Sequence, residues 1–257
     1  MSGKTDIDWA EKSWTVVTGC SKCSPGCLNC YAAKNAATRL KHHPNYEGLA
    51  IKTDSGYDWV GEVRCNVSEL EKPLHWKKPS RIFVAPTGDL FHENMTQMDL
   101  FEVFQVIAEA KQHTYIVLTK RPERMCEFIC NKNFFGHNDM FDAWKHVWLG
   151  VTVCTPDERY KIDLLRQIPA AVRFISFEPL LEDMGAVNLD GIDWVIAGCE
   201  SGPKRRHANV EWFDSLMRQC VNADVPFFLK QTERNGQLLK MPKFCGRVWD
   251  QYPEARQ

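Results

Sequence analysis

Along this chain, short apolar runs rich in β-branched and aromatic residues recur, and each is followed by a turn and then by a stretch of helical spacing. The runs are WTVVTG (14–19), EVRCNV (62–67), RIFVAP (81–86), YIVLT (115–119), VWLGVTV (147–153), VRFISF (172–177), DWVIAG (193–198) and PFFLK (226–230). Between them the clearest helix lies at 98–111, where Leu100, Phe101, Phe104, Ile107 and Ala108 share one face. Thr96 and Asp99 stand at its start like a capping box. A second helix is expected after Asn209, with Trp212, Phe213, Leu216, Met217 and Cys220 at similar spacing.

Strands alternating with helices imply a parallel sheet, because a parallel return needs a crossover. Several runs are apolar at every position, as strands covered on both faces are. Up to eight such units can be counted, so the expected fold is α/β, a complete or partial (β/α) barrel. A doubly wound open sheet is the alternative. No repeat or flexible linker divides the chain, so one domain is expected over 1–257. It carries a cysteine-rich loop at 19–31 and a C-terminal extension from about 232.

In such folds chemistry gathers at the C-terminal strand ends. RIFVAP runs into Thr87, Gly88, Asp89 and then His92; YIVLT ends in Lys120 and Arg121. RFISF ends in Glu178, WVIAG in Cys199, Glu200, Ser201 and Gly202, and PFFLK in Lys230 and Gln231. Any one of these could be a cap or a surface charge. Together, Asp89, Lys120, Glu178, Glu200 and Lys230 would suit a zwitterionic ligand.

Composition narrows the class. The chain has 257 residues, is 44% hydrophobic and carries a net charge of −1, so no global positive field draws it to nucleic acid. The polar start MSGKTDIDWAEKSW and the absence of any long apolar run predict a cytoplasmic protein with no membrane segment. Local basic stretches with aromatics, HWKKPSR (75–81), KRRH (204–207) and KMPKFCGRVW (240–249), are either solvated surface or contacts for single strands and flipped bases.

Eleven cysteines are many for such a chain. Seven (Cys65, Cys126, Cys130, Cys154, Cys199, Cys220 and Cys245) lie apart and are expected to be small buried hydrophobes. The other four, Cys20, Cys23, Cys27 and Cys30, crowd one loop directly after the first run. Two C-x2-C knuckles could hold a structural zinc. Closely spaced thiolates in one loop also suit a cuboidal iron–sulfur cluster, and Pro25–Gly26 supplies the turn to wrap it. Cys23, Cys27 and Cys30 have the C-x3-C-x2-C spacing of radical S-adenosylmethionine enzymes, although Asn29 stands where that motif has an aromatic and Tyr31 follows it. Redox or accidental thiols are the third reading.

The segments TGCSKCSPGCLNCYA, GDLFHE, VLTKRPERM, VWLGVTV, RFISFEPLL, ESGP and VPFFLKQ resemble, in order from about Asp8 to about Gln231, the phage-encoded three-Cys-motif proteins of phages and bacteria. That family is remotely similar to radical S-adenosylmethionine enzymes. The resemblance implies a [4Fe–4S] cluster on Cys20, Cys27 and Cys30, with Cys23 a spare thiol, and S-adenosylmethionine as cofactor, cleaved to a 5′-deoxyadenosyl radical. It departs from the pattern at Cys199, where glycine is usual. By the same resemblance Gly88, Asp89, Glu178, Glu200 and Ser201 would bind the cofactor, Glu178, Lys120 and Lys230 would serve catalysis, and His92, Arg121 and Gln231 would face substrate. The implied substrate is a nucleobase or nucleotide, the implied reductant flavodoxin-like or ferredoxin-like, and a partner protein encoded next to it is a further expectation. The alternative function is a non-catalytic zinc-stapled module that binds nucleic acid or a partner protein.

Overall fold

A computed structural model describes residues 3–131, 144–202 and 204–254. Nine strands form one sheet, and their spatial order is their order in the chain. They are β1 Gly3–Lys4, β2 Lys12–Trp14, β3 Arg81–Val84, β4 Thr114–Thr119, β5 Val147–Thr152, β6 Val172–Phe177, β7 Trp194–Gly198, β8 Phe227–Arg234 and β9 Gln237–Lys240. Strands β2 to β8 are all parallel to their neighbours. The two edge strands, β1 and β9, run antiparallel.

A doubly wound sheet reverses its strand order at a switch point; this sheet never reverses, so each crossover advances the same way, as in a barrel. It does not close, because β1 and β9 remain edges. The result is a half-barrel of seven parallel strands with antiparallel borders: of the complete or partial barrel expected, the sheet is the partial one, with seven units rather than eight. The run at 62–67 is the missing unit. Its residues Val63–Cys65 pair antiparallel with Val17–Gly19, which pairs parallel with Thr87–Gly88 in a separate three-stranded sheet. The first run is therefore split: Trp14 ends β2, and three residues later the chain has changed sheets.

The two faces of the large sheet are covered differently. Outward side chains such as Tyr115, Val117, Leu149, Ile175 and Val195 pack in one core with helices on that side of the sheet. These are α2 Gln97–Glu109, α3 Pro122–Ile129, α4 Tyr160–Gln167 and α5 Val210–Asn222, while α1 Tyr31–Ala37 lies apart from that core. Helix α2 starts at the expected capping box: Thr96 Oγ1 accepts from the Asp99 N–H, and Asp99 Oδ2 accepts from the Thr96 N–H.

Among the described residues no helix packs on the inward face. Phe83, Ile116, Trp148, Phe174, Trp194, Ile196 and Phe228 form a second core against Trp9 and Tyr252 from the two ends of the chain. Trp194 is its centre, with ring centroids 5.7 Å from Trp148, 5.6 Å from Phe174, 6.0 Å from Phe228 and 5.5 Å from Tyr252. Its Nε1 donates to the Gln251 carbonyl at 2.9 Å, so the one polar atom of a fully buried indole is satisfied. Gly150 is required here: a Cβ on it would fall 2.4 Å from the Phe174 ring. The C-terminal extension makes the β8–β9 hairpin, a second hairpin at Lys243–Phe244 and Arg247–Val248, and then returns to this floor.

No helix among the described residues is long and apolar enough to cross a membrane.

Candidate functional site

The cysteine loop leaves the strand Val17–Gly19 and enters α1 at Cys30. A single 3-10 turn, Pro25–Cys27, folds its middle; Ser24 caps the turn by accepting from the Gly26 N–H at 3.2 Å. Ala32, Ala33 and Ala36 of α1 bury against Leu40, Tyr46, Leu49 and Trp59, and Cys20 and Cys30 pack on the edge of this small core. The loop is thus mounted between α1 and the mouth of the half-barrel, where strand-end side chains hold it at three places.

The first hold is centred on Arg121. Its Nη1 donates to Cys20 Sγ at 3.5 Å and to Asp89 Oδ2 at 3.2 Å; its Nη2 donates to the Ser21 carbonyl and hydroxyl at 3.1 and 2.7 Å; its Nε donates to Glu93 Oε2 at 2.8 Å. Asp89 is buried and also accepts from Thr119 Oγ1, the Phe91 N–H and the Lys120 N–H. His92 is fully buried; its Nδ1 accepts from the Asn94 N–H at 3.1 Å, so the neutral ring carries its proton on Nε2, 2.9 Å from Ser21 Oγ. Burial, with Arg121 adding to it, lowers the His92 pKa and keeps the ring neutral.

The second hold is Glu200. It accepts from the Arg206 guanidinium through both oxygens and from the Arg206 N–H at 2.9 Å, and from Asn29 Nδ2 at 2.8 Å. Arg206 Nη1 then donates to the Pro25 carbonyl at 2.9 Å. The third lies beneath the turn. Cys154 is fully buried just past the end of β5, and a Cβ on Gly26 would fall 2.3 Å from its sulfur. Glu158 accepts from the Cys154 N–H at 2.8 Å and pairs with buried Lys161 at 2.6 Å.

Inside these holds the thiols differ. Cys23 is the exposed member and the other three are half-buried. A hydrogen bond from the Cys23 thiol lowers the Cys27 pKa, and the same bond raises that of Cys23. Burial, with the Asp89 charge, pushes Cys20 up to about 12. Among the described residues no three His, Cys, Asp or Glu side chains converge on one point as a single metal ion would need. A tetrahedral zinc wants its thiolates about 3.8 Å apart, from a Zn–S length of about 2.3 Å. A cuboidal cluster takes one thiolate per iron and so wants them spread around a wrapping loop. Four thiols in one loop are a donor set that either centre can use.

The other expected residues fall into two groups. Lys230 Nζ pairs with Glu178 Oε1 at 2.9 Å, and Gly198 leaves room for that carboxylate, since a Cβ there would meet Oε1 at 2.7 Å. Lys120, Glu178 and Lys230 all stand close enough to act on the Tyr31 phenol, which donates to the Pro86 carbonyl at 2.9 Å. These form the mouth of the half-barrel. Gly88 and Gln231 lie within the scaffold instead. A Cβ on Gly88 would meet the Val17 carbonyl at 2.9 Å, and Gln231 Nε2 donates to the Cys199 carbonyl at 2.7 Å beside the β7–β8 irregularity. Ser201 is half-buried at the rim, and Pro203 of the ESGP segment lies outside the described residues.

The arginines of the three basic stretches are engaged within the chain. Arg81 stacks over Tyr252, Arg206 serves Glu200, Arg205 pairs with Glu233, and Arg247 stacks over Trp249. Sequence reasoning missed Ser21, Ser24, Asn29, Cys154 and Arg206 as parts of the site. For Cys154 a signal existed: it has the inward parity of Gly150 and Thr152 at the end of its run.

A family profile described as "Protein of unknown function (DUF5131)" matches residues 4–253. No curated protein and no solved structure matches the chain.

Proposed function

We propose that this chain, which belongs to the DUF5131 family over nearly its whole length, is an iron–sulfur enzyme of the radical S-adenosylmethionine type that modifies or repairs a nucleobase or nucleotide. The finer kinship to the three-Cys-motif phage proteins is part of the same proposal. The observation that carries it is the position of the loop: four thiols mounted at the C-terminal mouth of a half-barrel, where such folds place their chemistry.

Cys20, Cys27 and Cys30 would hold the cluster. Cys20 is the thiol that Arg121 reaches and the small core supports, whereas Cys23 is exposed. Bound there, a [4Fe–4S] cluster would supply the electron for reductive cleavage of S-adenosylmethionine. The chain's own residues then do the holding. Arg121 holds the start of the loop at Ser21 and Arg206 its middle turn at Pro25, each neutralised by a carboxylate, so the loop keeps one shape while its thiols bind. Gly26 lies on Cys154, which excludes water from beneath the turn. Tyr31, half open beside the Lys230–Glu178 pair, offers a ring on which a base can stack.

The test is anaerobic reconstitution with iron and sulfide, followed by EPR of the reduced protein with and without S-adenosylmethionine. The expected result is a [4Fe–4S] signal that changes on adding the cofactor, lost in Cys20→Ala and kept in Cys23→Ala. Stoichiometric zinc in place of a cluster would overturn the proposal in favour of a metal-stapled binding module.

A further inference from the structure

Charge is spread unevenly along this chain. It holds 33 Asp and Glu in 257 residues, yet none falls between Lys12 and Tyr46. That stretch builds β2, the cysteine loop and α1, and its cations are Lys12, Lys22, Lys34, Arg39 and Lys41. Two of them are engaged: Lys12 lies over the Trp76 ring at 4.8 Å, and Lys22 pairs with Asp58 at 2.5 Å. Lys34, Arg39 and Lys41 are exposed, and no carboxylate among the described residues forms an ion pair with them.

The helix arranges these charges. Ala32, Ala33 and Ala36 bury one side of α1 against Leu40, Tyr46, Leu49 and Trp59. At 3.6 residues per turn, Tyr31, Lys34, Asn35 and Thr38 therefore share the opposite, open side. With a rise of about 1.5 Å per residue, that side leads away from the half-open Tyr31 ring at the mouth. It ends in the turn where the Lys41 N–H donates to the Thr38 carbonyl at 3.4 Å. Lys204 adds to the strip from next to the loop: it is exposed, and its carbonyl accepts from Asn29 Nδ2 at 3.2 Å. None of these positions is a carboxylate or a large aliphatic residue.

We infer that this strip binds the phosphodiester backbone of a single-stranded nucleic acid and that one base of the strand lies on the Tyr31 ring. Cations that track a backbone, with an aromatic ring beside them, are the means by which proteins hold single strands. The net charge of −1 is no obstacle, because exposed charges act within a Debye length of about 8 Å at physiological ionic strength and the strip is local. An anionic lipid surface would want aliphatic side chains among the cations, and the open side of α1 has none. The inference rests on the proposed function for what becomes of the base, and it narrows the substrate from a nucleotide to a nucleobase within a strand. Binding itself needs neither cluster nor cofactor.

The experiment uses the full chain, reduced and treated with a chelator. Fluorescence anisotropy follows its binding to labelled mixed-sequence oligonucleotides of about 16 nucleotides, one of DNA and one of RNA, between about 50 and about 200 mM salt. Contacts from Lys34, Arg39, Lys41 and Lys204 predict that log K falls against log salt with a slope of about −3. Replacing Lys34, Arg39 and Lys41 together by Gln should reduce that slope by about 2 and weaken binding at the lowest salt at least tenfold. Tyr31→Leu should weaken it about tenfold and leave the slope unchanged. Lys77→Gln with Lys78→Gln removes exposed cations just before β3, at the opposite end of the barrel, and should change nothing. The absence of binding to both strands at the lowest salt would overturn the inference. So would equal losses in the α1 and Lys77/Lys78 variants, or competition by polyglutamate as effective as that by unlabelled oligonucleotide. The EPR test above keeps the two readings apart. A cofactor-responsive cluster in a protein that binds no strand overturns this inference alone, whereas strand binding by a zinc-loaded protein leaves the strip standing and removes the enzyme.

Discussion

The two ends of the half-barrel are built from the same seven strands and stabilised in opposite ways. At the floor, Trp194 sits among five aromatic rings and its single polar atom is bonded to the returning C-terminus. At the mouth, two arginines and two buried carboxylates spend their hydrogen bonds on the backbone and side chains of a loop. Burying apolar area is favourable by itself, whereas burying an ion pair returns little net stability and defines a geometry. The floor therefore makes the fold stable, and the mouth makes one loop conformation specific.

The largest effect is expected at the floor. Trp194→Ala should destabilise the chain by about 3–5 kcal/mol, read as a lower urea midpoint with an unchanged m value. Alkylation of Cys20 under native conditions should stay as slow as before. If that rate rose with the loss of Trp194, the two ends would not be the separate regions described here.

A smaller loss of stability with a larger local effect is expected from Arg121→Met. Breaking a buried pair costs about 3–5 kcal/mol; a value near 3 is expected because Asp89 keeps the Thr119 hydroxyl and the Phe91 and Lys120 amides. The guanidinium's charge and hydrogen bond both act to lower the Cys20 pKa, so without them the thiol should ionise less readily and react with iodoacetamide about tenfold more slowly at the same pH. An unchanged rate would break the assignment of the mouth as the loop's anchor.

The smallest effect belongs to Glu93, the exposed end of the same network. Burial acts to raise its pKa, but hydrogen bonds from its own backbone and Ser21, with the Arg121 charge, outweigh it and bring it to about 2. A lowered folded-state value means that its pairing stabilises the protein fully above the unfolded value of 4.5, and that this contribution is lost as pH falls toward 2. Because the side chain is largely solvated, the contribution should be under about 1 kcal/mol. Urea midpoints at about pH 6 and about pH 3.5 should therefore differ slightly more in the unmodified protein than in Glu93→Gln. Equal differences would show that the outer carboxylate adds nothing to the hold.

How much of this was legible in the sequence depended on the distance over which each feature is decided. The α2 helix and its Thr96–Asp99 box need only neighbours within one turn, and they stand where the spacing put them. Six of the eight runs became consecutive parallel strands because an apolar run bounded by turns has few other places to go. The split of the run at 14–19 was hidden, since Trp14 to Gly19 is unbroken as a pattern and only the pairing of Val17–Gly19 with Val63–Cys65 moves it to another sheet. Asp89 and Glu200 were singled out as ligand-facing, yet each is filled by an arginine 32 or 6 residues away.

The sequence by itself determined the alternation of strand and helix, the class of fold and the crowding of four thiols in one loop, because each is written in local spacing and side-chain type. Whether the barrel closes, which carboxylates are taken by arginines and that Cys154 lies under Gly26 were decided only by the tertiary structure. The physical reason is that closure and pairing are competitions among groups far apart in the chain. Their winners are set by the geometry of the whole sheet, which no short window of residues contains.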